Sequence, residues 1–266
     1  MSDKYVAQSA DGCVWITGAS SGIGRQLALS FASDGWTVAA TARSQDKLDA
    51  LAGESAKLSG KIIAVPGDVS SRDEMRSACE RVENEAGPIA LLVANAGVYY
   101  PQDGLNNNAD EWQKTIDINL TGTVNTILPV IDTMKARRRG QIAIVSSVAG
   151  YRGLPTSAAY GATKAALINM AEALKFDLDL AGIRIQVINP GFVDTPATKS
   201  NPFPMPHLLS PEEAVAEIRT GLKHPNKFEI AFPAAFVRQL KLLQTLPYGL
   251  YFKLVRKSTG WSKKQA

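Results

Sequence analysis

The chain has 266 residues, 45% of them apolar and 20% charged, enough to bury a full core as one α/β domain over 1–266 without disulfides or a structural metal. Cys13 and Cys79 lack the spacing of a secreted disulfide framework, residues 1–12 hold no apolar signal core, and no run of about eighteen uncharged apolar residues occurs, so a reducing cytoplasm is expected and neither export nor membrane spanning is. The net charge of +4 is uneven: residues 230–266 carry seven bases and no acid, leaving −3 for the rest, which argues against a general nucleic-acid-binding face.

Along the chain, short apolar runs at 13–16, 38–40, 62–65, 90–93, 142–145 and 183–188 alternate with segments long enough for crossover helices. This alternation predicts a Rossmann-type doubly wound parallel sheet with helices on both faces and a ligand crevice at the carboxyl ends of the strands. Residues 192–209 break the pattern with Pro196, Pro202, Pro204 and Pro206 and are expected to form a lid loop. A helix restarts where Ser210 can cap it, with Pro211 at the first helical position and Glu212 and Glu213 in the first turn.

The first strand leads directly into Thr17-Gly18-Ala19-Ser20-Ser21-Gly22-Ile23-Gly24 and then into a helical pattern through Leu27, Ala28, Phe31 and Ala32. Glycines let backbone approach a pyrophosphate closely, and free N–H groups at a helix start face the negative charge; packing alone is the competing use of such a turn. After the second strand, where a site selective for NAD places an acid on the ribose, stand Thr41-Ala42-Arg43-Ser44. Ala42 removes repulsion toward a 2′-phosphate while Arg43 and Ser44 offer it hydrogen bonds, so NADP (NADPH) is the expected cofactor. The competing reading of Arg43 is a solvated helix-start residue.

Asp68-Val69, Asn95-Ala96-Gly97, Asn119, Ser147, Tyr160-Gly161-Ala162-Thr163-Lys164 and Pro190-Gly191 follow in order. Together with the glycine turn they resemble the short-chain dehydrogenase/reductase family from residue 13 to about residue 195. The resemblance implies that Asp68 and Val69 meet the adenine, that Asn95, Ala96 and Gly97 lie along the ribose, and that Val193 and Thr195 hold the nicotinamide carboxamide beside Pro190 and Gly191. Asn95 could instead satisfy backbone between strands, and Pro190-Gly191 could be only a turn.

Tyr160 and Lys164 are four apart in a segment of high helical propensity, so both lie on one helix face. In the family's chemistry Tyr160 donates a proton to a carbonyl oxygen, Ser147 orients that oxygen, Lys164 binds the cofactor ribose and acts on the phenol, and Asn119 holds a water linking Lys164 to solvent. Bringing a phenol from its usual pKa near 10 toward neutral means stabilising its anion by roughly 4 kcal/mol, which Lys164 and the oxidised nicotinamide are expected to supply. Ser146 is the neighbouring candidate for the serine role, with the spacing to Tyr160 favouring Ser147. His207 and His224 have no metal-ligand spacing, and no metal is expected.

Substrate contacts are expected from Val148, Tyr151, Leu154 and Pro155 and from the lid residues Phe203, Met205, Leu208 and Leu209, a lining suited to a lipophilic carbonyl or alcohol. An extension at 233–257 carries Phe236, Leu240 and Leu243 at helical spacing, then, past Pro247, Tyr248, Tyr251, Phe252 and Val255 beside Lys253, Arg256 and Lys257. It either lies on an anionic bilayer, placing the protein at a membrane surface, or covers the substrate pocket or a subunit interface. The expected activity is NADP(H)-dependent hydride transfer, by a homodimer or homotetramer joined through helices around 111–135 and 160–180. The alternative is a catalytically silent NADP(H) sensor or scaffold.

Overall fold

Each of the six apolar runs forms a strand in the computed structural model, which describes residues 5–102, 104–105, 108–199 and 204–261. They are β1 (Cys13–Thr17), β2 (Thr37–Thr41), β3 (Lys61–Ala64), β4 (Ile89–Ala94), β5 (Gly140–Val145) and β6 (Ile183–Pro190), and a seventh, β7 (Glu229–Phe232), was not expected. All pair in parallel in the order β3-β2-β1-β4-β5-β6-β7. Every residue of β1, β4, β5 and β6 is buried, as a sheet covered on both faces requires. At four residues, beginning on half-buried Glu229, β7 is too short to show in the apolar pattern.

The helices are α1 (Gly22–Ser33), α2 (Gln45–Glu54), α3 (Arg72–Glu85), α4 (Ala109–Ile116), α5 (Gly122–Arg137), α6 (Ala158–Leu180), α7 (Pro211–Lys223), α8 (Ala234–Gln244) and α9 (Tyr248–Ser258). Leu27 and Phe31 of α1, Leu48 and Leu51 of α2 and Ile218 of α7 form one core against the sheet. Met75 and Val82 of α3, Ile127 and Met134 of α5 and Leu167 and Leu178 of α6 form the other. No helix among the described residues is long and apolar enough to cross a membrane.

Two features of this frame reach the crevice. A single π-helical turn, Asp117–Thr121, stands between α4 and α5, and the extra backbone of such a turn displaces a side chain from the helical register. It carries Asn119, which is fully buried. The two ends of segment 192–209 are joined, where Asp194 N donates to Leu209 O at 2.9 Å and Leu209 N to Phe192 O at 3.0 Å.

Helix α7 begins where expected: Ser210 Oγ accepts from Glu213 N at 3.1 Å while Glu213 Oε2 accepts from Ser210 N at 2.8 Å. This reciprocal cap holds the start of α7, directly after segment 192–209. Ser210→Ala is expected to cost about 1 kcal/mol, seen in calorimetry as a melting temperature lowered by about 2–4 °C.

Candidate active site

At the carboxyl end of β1 the chain must turn sharply to enter α1 while leaving backbone exposed. Gly18 and Gly22 do this in the left-handed region, at φ +67° and +54°, which a side chain disfavours. A Cβ on Gly18 would also lie 2.7 Å from Ala96 Cα, and one on Gly24 would lie 2.4 Å from Gly18 O. Gly24 therefore serves the contact between helix and turn and stands outside the cavity lining, whereas Gly18, Ser20, Ser21, Gly22 and Ile23 line it.

Asn95 fastens the neighbouring strand to this turn. Its Nδ2 donates to Thr17 O at 3.0 Å and Gly18 O at 3.3 Å, and Thr17 Oγ1 accepts from the backbone N of Asn95 and of Ala96 at 3.1 and 3.2 Å. The side chain of Asn95 is thus spent on backbone, while Asn95, Ala96 and Gly97 all border the cavity.

Ala42 and Arg43 line the same cavity from the end of β2. Arg43 is exposed, and among the described residues it is in none of the ion pairs. Ser44 stands just outside the lining at the N-cap of α2, where its side chain makes no capping bond. Asp68 Oδ1 accepts from Ser70 N and Oγ at 2.9 and 2.7 Å, and Asp68 and Val69 close this end. Pro190, Gly191, Val193 and Thr195 line the cavity as well, with Thr195 beside Gly22.

Lys164 and Tyr160 project from the first turns of α6 into the middle of the cavity. Burial pushes the Tyr160 phenol up, a hydrogen bond from Ser147 draws it partly back, and Tyr99 adds a smaller upward push. Tyr99 stacks edge-on against Tyr160 with centroids 5.0 Å apart. Lys164 is 3% exposed, donates to Val145 O at 2.8 Å, and is lowered by burial to about 8. Its Nζ lies 5.6 Å from the Tyr160 ring centroid. The expected lowering of the phenol by Lys164 is therefore not built into the protein groups alone: burial dominates, and Tyr160 is held protonated.

The two serines separate cleanly. Ser146 Oγ donates to Lys164 O at 2.7 Å, tying β5 to α6, whereas Ser147 Oγ accepts from Ala149 N at 3.1 Å, donates to Pro190 O at 3.4 Å and acts on the Tyr160 phenol. Asn119 Oδ1 accepts from Val98 N at 2.8 Å and its Nδ2 donates to Val98 O at 3.0 Å and Thr163 Oγ1 at 3.3 Å. Its side chain, absent from the lining, fixes loop 97–99 beside Lys164.

The cavity measures about 1460 Å³, above the roughly 300–1,000 Å³ of a pocket for one small ligand. The close backbone at Gly18 and Gly22, the exposed cation at Arg43 and the polar middle fit an elongated dinucleotide at one end, leaving apolar space at the other. Val148, Leu154 and Pro155 line that space as expected, joined by Pro204, Pro206, Phe236, Leu240 and Leu243. Phe203 lies outside the described residues. Tyr151 is a correction: its hydroxyl donates to Glu229 Oε1 at 2.5 Å, which also accepts from Asn189 Nδ2 at 2.8 Å, so the ring faces away from the cavity. Met205, Leu208 and Leu209 also fall outside the lining, with Leu209 packed on the core through its bridge to Val193. Sequence reasoning missed Tyr99, although an aromatic two residues beyond Gly97 was a usable signal. It also missed Thr198, whose hydroxyl donates to Val193 O at 2.7 Å and shapes the wall from within a loop.

A family model described as short chain dehydrogenase matches residues 12–203. An uncharacterized oxidoreductase of Myxococcus xanthus is 37% identical over 91% of this chain and 95% of its own. A 3-oxoacyl-(acyl-carrier-protein) reductase of Thermotoga maritima is 37% identical over 70% of this chain and 76% of its own. Among solved structures, an alcohol dehydrogenase of the archaeon Thermococcus sibiricus, complexed with 5-hydroxy-NADP, superposes with a TM-score of 0.76 at 28% identity, over 83% of this chain and 95% of that one.

The buried ammonium has a measurable cost. Because the folded-state value for Lys164, about 8, lies below the ordinary lysine value of 10.5, its charge opposes folding fully below pH 8 and ceases to do so as pH rises through 10.5. Relative to Lys164→Met, the wild type should gain about 3 kcal/mol of stability across that window. Parallel denaturant titrations of the two proteins check this, and a pH-independent difference would disprove it.

Proposed function

The chain belongs to the short-chain dehydrogenase family, whose oxidoreductases bind a nicotinamide cofactor, and on that footing we propose that it uses NADP(H) to interconvert a lipophilic carbonyl compound and its secondary alcohol. The observation that carries this reading is the Tyr160 phenol on the cavity wall, pushed up by its enclosure and drawn partly back by Ser147, with Lys164 one turn away on the same wall. When bound, the nicotinamide supplies or accepts the hydride. Ser147 orients the substrate oxygen, and Tyr160, held protonated, delivers its proton there. Lys164 takes the ribose hydroxyls and supplies positive charge near the phenolate once the proton has left. Asn119 steadies loop 97–99 and, as the resemblance implies, a water on the route to solvent.

The cofactor end has matching chemistry. The turn from Gly18 through Gly24, with Ser20, Ser21, Gly22 and Ile23 at the start of α1, presents N–H groups to the pyrophosphate. Arg43 and Ser44 take the 2′-phosphate, Asp68 and Val69 the adenine, Asn95, Ala96 and Gly97 the ribose, and Pro190, Gly191, Val193 and Thr195 the carboxamide side. Arg43 favours NADPH because it carries charge without an acidic partner at the position where an acid would repel the phosphate. The alcohol dehydrogenase of T. sibiricus, which carries an NADP derivative, supports the same choice.

The apolar residues at the far end of the cavity, with segment 192–209 as lid and 233–257 as a further wall, support a lipophilic substrate, and the reductase of T. maritima places a related chain on an acyl compound. Leu128 on α5 and Phe176 and Leu180 on α6 are large and exposed, which supports a homodimer or homotetramer through those helices. A cytoplasmic enzyme working at a membrane surface completes the reading.

Two measurements test it. Titration followed by nicotinamide fluorescence should show NADPH binding at least about tenfold tighter than NADH, a gap of roughly 1.4 kcal/mol, and Arg43→Ala should erase the gap; preference for NADH would remove Arg43 from the phosphate site. Tyr160→Phe should cut reduction of lipophilic ketones by at least about 10²-fold while NADPH still binds. Undiminished turnover would remove Tyr160 as proton donor, and a wild type that binds NADPH but reduces nothing would favour the silent sensor.

A further inference from the structure

The apolar stripes of the C-terminal extension divide between two faces. Phe236, Leu240 and Leu243 of α8 and Val255 of α9 line the cavity, and Tyr251 is buried with its hydroxyl donating to Gly153 O at 2.5 Å. The corner between the helices is held by Arg152, whose Nη1 donates to Leu243 O, Gln244 O and Leu246 O at 2.9, 3.0 and 2.7 Å. The Arg152 guanidinium also lies over the Tyr251 ring, 3.9 Å from its centroid. The inner face is therefore spoken for, and the helices are fixed in orientation.

The outer face keeps a large exposed apolar area, although Arg152 also lies over the Tyr248 ring, 4.8 Å from its centroid. Leu242, Tyr248, Leu250, Phe252 and Leu254 are between 38% and 73% exposed, five of the eleven exposed large hydrophobics among the described residues, all within one thirteen-residue stretch. Arg238, Lys253, Arg256 and Lys257 are exposed on the same two helices, and no acid occurs from residue 230 to the end. Exposed apolar surface of this density marks a contact site.

We propose that this outer face docks the protein on an anionic lipid bilayer. A bilayer interface accepts aliphatic and aromatic side chains together and attracts interspersed lysines and arginines. A second copy meeting this face through a two-fold axis would oppose cation to cation, since such a contact sets a patch against itself. Nucleic acid would answer the charge and leave the leucines in water. Lys257, Ser258 and Thr259 are both exposed and part of the cavity lining, so the cavity reaches the surface at the end of α9, beside the docking face. A lipophilic substrate dissolved in the bilayer then has a short route inward. The inference deepens the proposed membrane-surface reading and rests on it, whereas the docking itself is read without turnover.

The test is flotation of the full chain with vesicles of phosphatidylcholine alone or mixed with phosphatidylserine. Binding is expected to the mixed vesicles at low salt, falling as salt rises. Lys253→Glu combined with Arg256→Glu should weaken it at least about tenfold, and Leu250→Ser combined with Phe252→Ser should weaken it at any salt. All four side chains are exposed outside the cavity, so NADPH binding should stay at the wild-type value, and the melting temperature should stay there in Lys253→Glu/Arg256→Glu and fall only slightly where Phe252 leaves its contacts with Tyr248 and Tyr251. Failure to bind mixed vesicles at low salt, equal binding by wild type and variants, or a drop in oligomeric mass in Leu250→Ser/Phe252→Ser would overturn the proposal, the last by assigning the face to a second copy. NADPH titration of the same samples reports separately on the enzymatic reading, because vesicle binding does not depend on it.

Discussion

The bonds from Asn95 to the carbonyls of Thr17 and Gly18 sit where the strand order reverses, between β1 and β4, and the rest of the crevice depends on them. Parallel strands leave a gap at such a point because their crossover helices depart to opposite faces. With β1 and β4 locked together there, the glycine turn is held open on one side and loop 97–99 is carried to the other. Ser147, Tyr160 and Lys164 then face a cavity whose cofactor end is shaped by this fixed backbone.

Burial sets the chemistry in that middle. Enclosing Tyr160 and Lys164 raises one group and lowers the other, shifting both toward the neutral form, although Lys164, at about 8, still carries its charge at neutral pH. The site is thereby arranged to hold a proton at the phenol until charge is introduced nearby. Ser147 draws the phenol in the opposite direction. Ser146 locks the same strand end to α6 from below, so adjacent identical residues divide fixing and facing between them.

Much of this was legible in the sequence, and the reasons differ by element. The six strands were visible as apolar runs because a sheet covered on both faces buries all or most of each central strand, while β7, short and begun by Glu229, carried no such pattern. The glycine turn, Tyr160 and Lys164 were legible because local geometry demands those residue types at those spacings. Tyr151 misled because its nearness to Ser147 along the chain says nothing of direction: the 3₁₀ turn Val148–Gly150 between them rotates it toward Glu229. Asn119 was found, but its engagement with Val98 depends on a π-helical turn that no residue pattern announces. The division of the extension into a cavity face and an outer face was likewise invisible, since helical periodicity shows that a stripe exists and not which of two surfaces it meets.

Arg152 makes that extension the property of another part of the chain. One guanidinium, placed in the loop that follows the serine turn, receives the last carbonyls of α8 and covers the first rings of α9. The tail is consequently not a transplantable module. A chimera that exchanged residues beyond β7 with those of a relative would inherit the donor's selectivity only if loop 151–153 travelled with it, and natural divergence of the tail is constrained to keep pace with a loop almost a hundred positions earlier.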